Sequence, residues 1–301
     1  MAAVQVTEVS EPGVRRGVIA AGVALRPRQW SKNLLLFAGL VFAAKLGDAG
    51  RWPEAIGAFA AYCAASSAAY LVNDVRDRPA DRAHPTKSGR PIARGELTAH
   101  AALVLAAGLA VAAFVVAGLL GRQDALFLAG FVALQAAYTL WLKHMLLLDV
   151  ATIAALFVVR AAAGAEAVDV RISPWLLACT ALLALFLALA KRRGELMLVG
   201  ARLTPGRKVL DGYSVQLCER LLQGAAVATV IAYAVYSVTA RDSKAMAGTV
   251  PFVVAGVGRY LLLVHRHDLG EEPENVLLRD RPLLGAVAAW AVLAAVILAT
   301  T

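Results

Sequence analysis

The stretch YLVNDVRDRPADRAHPTKSGRPIARGEL, residues 70–97, gathers acids and bases between two long apolar runs. Asn73, Asp77 and Asp81 follow one another at intervals of four residues, and Asp74 comes three residues before Asp77. Residues three and four apart lie on the same face of a helix, so this spacing predicts that the four side chains point to one side.

Pro79 interrupts this helical pattern, because proline disfavours helical geometry in the residue before it, here Arg78. The first three residues of the motif are therefore expected at the end of a helix. Asp81 is expected in the following loop or on a new short helix that begins at Pro79.

Carboxylates that converge at a membrane surface repel one another unless a cation lies between them. Mg²⁺ suits this position, because it prefers oxygen ligands and is usually held by one or two carboxylates together with substrate phosphates. Lys87, Arg90 and Arg94 follow directly and could donate hydrogen bonds to the same phosphates. The motif therefore predicts a magnesium site, and a solvated loop of mutually neutralising charges is the alternative. The predicted metal ligands are Asn73, Asp74, Asp77 and Asp81.

Apolar runs long enough to cross a bilayer recur along the whole chain of 301 residues. The chain is 60% hydrophobic, whereas soluble domains contain about 45–50% apolar residues. A helix needs about 20 apolar residues to span a membrane. The runs predict an all-α polytopic membrane protein with nine transmembrane helices. Their approximate limits are 30–46, 53–74, 98–120, 124–142, 147–168, 174–191, 218–240, 248–265 and 282–300.

Positive charge fixes the predicted orientation. With the N-terminus in the cytoplasm, 22 of the 30 lysines and arginines fall on the cytoplasmic side, as the positive-inside rule requires. This asymmetry explains much of the net charge of +9 without any nucleic-acid partner. Residues 1–25 are expected to be a cytoplasmic tail, and residues 26–301 a single transmembrane catalytic domain. The predicted site lies on the cytoplasmic face of the cell membrane.

The combination of NDVRDRPAD with HPTKSGRPI resembles the UbiA superfamily of intramembrane prenyltransferases. The resemblance extends from RPRQWSKN, which begins at Arg26, almost to the C-terminus. It implies a nine-helix, all-α bundle in membrane lipid and an aspartate motif that binds a diphosphate through Mg²⁺. Asp74, Asp77 and Asp81 are the catalytic residues that the resemblance indicates.

The loop after the sixth predicted helix departs from the common pattern of the superfamily. Members that prenylate aromatic rings typically carry a second aspartate-rich motif there, whereas this chain has Lys191, Arg192 and Arg193 with Glu195 as the nearby acid. Three adjacent bases cannot chelate a second Mg²⁺, but they can hold a phosphate. Simple anchoring of the helix on the positive side is the alternative.

Polar residues also mark the fourth and fifth predicted helices. Tyr138 and Lys143 close the fourth helix, Asp149 opens the fifth, and Arg160 lies within it. An arginine in a lipid-embedded helix is costly, so it should face a partner or a polar cavity. We expect a phosphate or a carboxylate from another helix, and a purely structural ion pair is the alternative.

These features resemble a UbiA-superfamily branch that transfers a 5-phosphoribosyl group from 5-phosphoribosyl 1-diphosphate to decaprenyl phosphate, a step that feeds arabinose into the cell wall. The resemblance implies that Mg²⁺ is the cofactor, and that the sugar diphosphate and a polyprenyl phosphate are the substrates. The expected substrate-binding residues are Lys32, Asn73, Lys87, Arg90, Arg94, Tyr138, Lys143, Arg160, Lys191, Arg192, Arg193 and Glu195.

Two other functions stay open. An aromatic or haem prenyltransferase of the same superfamily would use a prenyl diphosphate donor, and its mark would be the second aspartate motif, which this loop lacks. A lipid transporter or flippase would place charges or broken helices at the membrane midplane. Assembly of the chain into a homo-oligomer also stays open.

Overall fold

A computed structural model describes residues 13–84, 87–171, 173–200, 208–239, 244–267, 276 and 279–300. The regular secondary structure of these residues is entirely helical. The all-α prediction is confirmed. The α-helices are α1 Gly13–Ala24, α2 Ala38–Phe42, α3 Trp52–Arg76, α4 Arg78–Ala83, α5 Pro91–Arg94, α6 Ala99–Leu120, α7 Arg122–Leu140, α8 Leu148–Ala167, α9 Pro174–Gly200, α10 Val215–Thr239, α11 Val250–His267 and α12 Arg281–Thr300. Short 3-10 helices cover Pro27–Phe37, Ala49–Arg51, Lys87–Gly89, Leu142–His144, Lys208–Gly212 and Lys244–Thr249.

Within the described residues, seven helical segments are long and apolar enough to cross a membrane. They contain α3, α6 and α8–α12, and they match seven of the nine predicted spans. The fourth predicted span coincides with α7, a helix of 19 residues that is not among the seven. The total of nine transmembrane helices, like the cytoplasmic position of the N-terminus, stays a prediction.

The first predicted span, 30–46, is not one continuous helix. A 3-10 helix runs over Pro27–Phe37, and the short helix α2 follows and ends at Phe42. The backbone of this segment packs directly against the backbone of α8. The contact is so close that a Cβ atom at Gly164 would overlap the carbonyl oxygen of Leu36. Hydropathy alone could not predict this contact, because it depends on a glycine, Gly164, that lies far from Leu36 in the sequence.

Ion pairs bring the end of α3, the turn after α7, the start of α8 and the last turns of α9 together, since Lys143 approaches Asp77 and Arg192 pairs with Asp149. Helix α3 packs against α6, α8 packs against α7 and α9, and α9 packs against α10. The acidic motif, Lys143 and the bases 191–193 thus share one end of the bundle, which we call the polar end.

Helix α8 separates two hydrophobic cores. Val150 packs in a core built mainly from α9, α10 and α11, while Leu156 packs with Tyr62 and Phe131 in a core built from α3, α6 and α7. Residues of α8 can therefore reach polar groups contributed by either half of the bundle.

Part of the segment expected to be a cytoplasmic tail is folded. Residues 1–12 lie outside the described part of the chain, but α1 packs against the polar end with Ala20 and Ala24 buried. Ala24 contacts the small core that contains Leu71 and Ile92. Helix α1 therefore brings the chain to Arg26, directly beside the acidic motif.

Candidate active site

Two buried carboxylates, one from α3 and one from α4, are joined by an arginine. Asp74 and Asp81 are only 3% and 4% exposed. Arg90 Nη1 lies 3.1 Å from Asp74 Oδ1 and 2.6 Å from Asp81 Oδ2. Arg26 Nη2 donates to both oxygens of Asp74, at 2.5 and 2.8 Å. We call Asp74 and Asp81 the acid pair.

The turn at Asp77 creates this arrangement. Helix α3 ends at Arg76, and Asp77 adopts φ −85° and ψ 1° between α3 and α4. Pro79 lies in the first turn of α4, where proline is tolerated because that turn needs no backbone donor. The break near Arg78 and the new short helix carrying Asp81 are confirmed.

Asp77 belongs to a neighbouring group rather than to the acid pair. Asn73 Nδ2 donates to Asp77 Oδ2 at 3.1 Å, and Lys143 Nζ lies 3.9 Å from the same oxygen. Lys143 comes from the 3-10 turn Leu142–His144 that follows α7. A base from the middle of the chain is thus brought to the acidic motif.

The acid pair can stabilise a divalent cation, but it supplies fewer protein ligands than the four that were expected. Two carboxylate oxygens lie within 3.1 Å of one cationic nitrogen of Arg90, so a positive charge is stabilised at that point. Across the described ranges, however, no group of three or more Asp, Glu, His or Cys side chains is placed to hold a metal ion. The acid pair therefore suits Mg²⁺ only if the remaining ligands come from phosphates and water, which is its usual mode of binding.

Arg192 lies at the centre of a second buried network. Its exposed fraction is 1%, and its Nε donates to Asp149 Oδ2 at 2.5 Å. It also forms an ion pair with Glu195, and its Nη2 lies 3.5 Å from the hydroxyl of Tyr138. The hydroxyl of Tyr213 donates to Asp149 Oδ1 at 2.6 Å.

Tyr213 ties this network to the connection between α7 and α8. Its hydroxyl accepts a hydrogen bond from the backbone N–H of Leu147 at 3.1 Å. Burial, followed by the hydrogen bond to Asp149, raises the pKa of Tyr213, which keeps the hydroxyl protonated as a donor. Because Lys143 lies on the same connection, this network positions the base that contacts Asp77.

The three adjacent bases of α9 do not act as one group in the structure. Arg193, 6% exposed, donates from Nε to Glu219 Oε1 at 3.1 Å and from Nη1 to the carbonyl of Val264 at 3.0 Å. Arg192 points toward α8, and Lys191 is half-buried. Successive residues on a helix do not face the same side, so the expected joint phosphate site is divided between different neighbours.

Arg160 is buried inside the bundle with neutral partners. Its exposed fraction is 5%, and its Nε donates to Asn33 Oδ1 at 2.8 Å. Nη1 donates to the carbonyl of Leu156 at 3.1 Å, and the guanidinium lies over the rings of Phe131 and Phe157 at 4.6 and 5.4 Å. Neither the expected carboxylate nor a structural ion pair is found among the described residues.

The remaining expected substrate-binding residues lie outside both networks. Lys32 Nζ donates to Gln29 Oε1 at 2.5 Å. Arg94 forms an exposed ion pair with Glu96, with N and O 3.0 Å apart. Lys87 is half-buried in the 3-10 turn Lys87–Gly89.

Sequence analysis did not identify Arg26, Asn33 or Tyr213 as site residues. Arg26 lies 48 residues before its partner Asp74, and it adopts a left-handed conformation with φ 55° and ψ 58°. Its guanidinium also lies 4.9 Å from the ring centre of Tyr70. The available signal was its position at the start of RPRQWSKN, the stretch that also contains Lys32 and Asn33.

Membrane-length apolar helices with buried ion-paired carboxylates at one end of the bundle define an integral membrane protein with a cluster of charged side chains at that end. The chain belongs to the UbiA prenyltransferase family, which matches residues 34–279. It is 35% identical over 309 residues to the decaprenyl-phosphate phosphoribosyltransferase of Mycolicibacterium smegmatis, covering 96% of each protein. It is also 35% identical over 282 residues to the protein of that name from Mycobacterium tuberculosis, covering 90% of this chain and 92% of that one.

Solved structures show the same fold. A UbiA homolog from Archaeoglobus fulgidus bound to GPP and Mg²⁺ superposes with a TM-score of 0.72, covering 94% of this chain and 100% of the other. The sequence identity is 16%, so this likeness describes the architecture. The resemblance to the superfamily is confirmed.

Proposed function

We propose that this protein transfers the 5-phosphoribosyl group of 5-phosphoribosyl 1-diphosphate to decaprenyl phosphate and releases diphosphate. The observation that carries the proposal is the 35% identity with a decaprenyl-phosphate phosphoribosyltransferase over 96% of both chains. The aligned length covers nearly the whole of both chains, and it therefore spans the segments that carry both networks of the polar end. In this proposal the product supplies arabinose units for cell-wall arabinogalactan.

The charges at the polar end support two phosphorylated substrates. Arg26, Arg90 and Lys143 all lie within 4 Å of a carboxylate of the acidic motif. Guanidinium and ammonium groups form charge-assisted hydrogen bonds with phosphate as readily as with carboxylate. An incoming diphosphate can therefore take over these donors from the aspartates, which frees the carboxylates of the acid pair.

Asp74 and Asp81 would then hold Mg²⁺ on the diphosphate, with Asp77 and Asn73 the nearest further oxygen donors. When bound, the metal supplies charge neutralisation for the departing diphosphate. Arg26 and Arg90 orient the diphosphate, and their placement between α1, α3 and α5 keeps their charges near the leaving group.

The reaction that we propose breaks the bond between C1 of the ribose and the diphosphate oxygen, whose electron pair leaves with the diphosphate. An oxygen of the lipid phosphate forms the new bond to C1 from the opposite face, through an oxocarbenium-like transition state as in other glycosyl transfers. The lipid phosphate is already an anion at neutral pH. No proton has to be removed from the nucleophile, so the chain needs no general base.

The polar end is proposed to face the cytoplasm of the cell. The phosphoribosyl donor is soluble in water, and the positive-inside rule places the basic end there. A membrane-impermeant maleimide should label a Glu96→Cys variant in inside-out vesicles and not in sealed right-side-out cells. The background is a Cys179→Ala variant, because Cys179 is only half-buried, whereas Cys63 and Cys218 are buried. Labelling in intact cells would instead show that the polar end faces the outside of the cell.

A substrate panel tests the function against its nearest rival. Full-length protein in lipid nanodiscs is incubated with Mg²⁺, decaprenyl phosphate and a labelled donor, either 5-phosphoribosyl 1-diphosphate or geranyl diphosphate. A matched series supplies 4-hydroxybenzoate as the acceptor. We expect label in the lipid phase only with the phosphoribosyl donor and the lipid phosphate. Prenylation of the aromatic acid would instead identify an aromatic prenyltransferase, and transfer in neither series would leave the transporter hypothesis.

A further inference from the structure

The charge of Arg160 is not balanced within the described part of the chain. Its hydrogen-bond partners are an amide oxygen of Asn33 and the backbone carbonyl of Leu156, and the rest of its contacts are aromatic rings. A buried cation without a counter-charge costs several kcal/mol, so an anion bound beside Arg160 would be strongly stabilised.

Two buried hydroxyls on α3 also lack hydrogen-bond partners among the described residues. The hydroxyls of Tyr62 and Ser66 make no hydrogen bond among the described residues, although the two residues are only 3% and 7% exposed. The ring of Tyr62 lies 4.9 Å from the ring of Phe131, and Arg160 lies 4.6 Å from the same ring. Ser66 is one turn further along α3, on the same face as Tyr62.

These groups lie on a polar stripe that leads to the acidic motif. Tyr62, Ser66, Tyr70, Asn73 and Asp77 follow one another at intervals of three or four residues, which places them along one face of α3. Tyr62 and Asn73 are separated by about 16 Å of helix. A substrate anchored at the acidic motif can therefore extend along this stripe toward Arg160.

We infer that Arg160, Tyr62 and Ser66 form a second phosphate subsite that takes a phosphate monoester. The inference rests on the proposed function, in which both substrates carry such a group: the 5-phosphate of the ribosyl donor and the phosphate of the lipid. A dianionic phosphate can accept hydrogen bonds from a guanidinium and from two hydroxyls at once. Water would satisfy the hydroxyls but would not balance the charge.

The subsite also explains how this bundle would favour a phosphorylated sugar over a prenyl diphosphate. The tail of a prenyl donor is apolar and would leave the guanidinium and both hydroxyls without partners. Sites built to hydrogen-bond a substrate discriminate strongly against analogues that lack the bonding group, because their own polar groups then stay unpaired. Tyr62 and Ser66 are therefore assigned as specificity-determining residues.

Tyr62→Phe and Ser66→Ala carry the test, because each removes a hydroxyl that has no partner in the described structure and should leave the thermal stability of the unliganded protein unchanged. Tyr260→Phe is the matched control, since Tyr260 is equally buried, at 4%, in the other half of the bundle. Each test variant loses a hydrogen bond to a charged group, which corresponds to a roughly tenfold weaker interaction. Arg160→Gln should weaken phosphate binding by roughly a hundredfold, but this substitution also alters packing on Phe131.

Two measurements are made on full-length protein in detergent: KM for each substrate, and the shift in melting temperature caused by ribose 5-phosphate or by decaprenyl phosphate. If the subsite takes the sugar phosphate, both hydroxyl variants raise the donor KM about tenfold and lose the shift with ribose 5-phosphate. If it takes the lipid phosphate, the acceptor KM and the shift with decaprenyl phosphate change instead. The subsite is rejected if both variants behave like Tyr260→Phe with both ligands.

This design separates the subsite from the proposed function. Ribose 5-phosphate has no diphosphate to lose, so its binding is measured without turnover. Stabilisation of the wild type that is lost in both hydroxyl variants, in a protein that transfers no label, would uphold the subsite and overturn the proposed function. Label transfer by both hydroxyl variants with unchanged KM values and unchanged melting shifts would uphold the proposed function and overturn the subsite.

Discussion

Arg26 and Asp74 are 48 residues apart in the chain, yet one guanidinium nitrogen of Arg26 donates to both oxygens of the buried Asp74 carboxylate at 2.5 and 2.8 Å. The contact joins the segment after α1 to the end of α3 and places positive charge directly on the acidic motif. Asp74 thus has two arginine neighbours, Arg26 and Arg90.

Asp74→Asn should reduce kcat/KM for phosphoribosyl transfer by at least about a hundredfold, because it removes one of the two carboxylates that would hold the metal and leaves two arginine charges facing a neutral amide. Transfer is measured in nanodiscs at saturating Mg²⁺. Glu54→Gln is the control, since Glu54 is an exposed acid at the other end of the same helix. Near-normal turnover by Asp74→Asn would exclude this carboxylate from the metal site.

Removal of divalent cations should abolish transfer, and added Mg²⁺ should restore it. The acid pair supplies only two carboxylates, so the metal should bind tightly only in the presence of the diphosphate donor. Isothermal titration of Mg²⁺ with and without the donor measures this dependence. Transfer that continues in excess EDTA would contradict the metal assignment.

Arg192→Met should destabilise the protein by about 3–5 kcal/mol, because it leaves Asp149 as an unpaired buried carboxylate. The double variant Arg192→Met with Asp149→Leu removes both charges and should recover much of that loss. Urea unfolding in detergent, followed by tryptophan fluorescence, measures the change. Activity of the double variant shows whether Arg192 also holds a substrate phosphate directly. In that case stability returns without activity, and the KM for the lipid or the donor rises by roughly tenfold or more.

Gly164→Ala should lower stability by about 1–3 kcal/mol, the usual cost of overpacking a tight contact, because its Cβ would overlap the Leu36 carbonyl oxygen. Gly108→Ala is the matched control in α6, where an added Cβ meets nothing within 4 Å. That substitution should be neutral or stabilising by about 0.5–1 kcal/mol. Equal melting temperatures for the two variants would mean that α8 and the 3-10 segment are less closely packed than described.

The sequence predicted the elements whose signals are local. Long apolar runs gave the seven membrane-length helices, and the residue preference around Pro79 gave the break between α3 and α4. The acidic motif was found because its members lie within nine residues of one another, 73–81. Pairing of Asp74 with Arg26 and of Arg192 with Asp149 could not be predicted, because each depends on which helices meet in three dimensions.

Two expectations about the site changed for physical reasons. Asp77 was grouped with Asp74 and Asp81, but the turn between α3 and α4 directs it toward Asn73 and Lys143. The bases 191–193 were grouped because they are adjacent, although adjacent helical residues point in different directions. Helical spacing correctly paired Asn73 with Asp77, but it could not account for the turn that separates Asp77 from Asp74 and Asp81.

In the proposed reaction the ribosyl group, and not a phosphate of the donor, moves to the lipid. A donor labelled with carbon-14 in the ribose and with phosphorus-32 in the β-phosphate tests this directly. After incubation of full-length protein with Mg²⁺ and decaprenyl phosphate, we expect carbon-14 in the extracted lipid and phosphorus-32 in aqueous diphosphate, in equal amounts. Phosphorus-32 in the lipid, or no carbon-14 there, would contradict it.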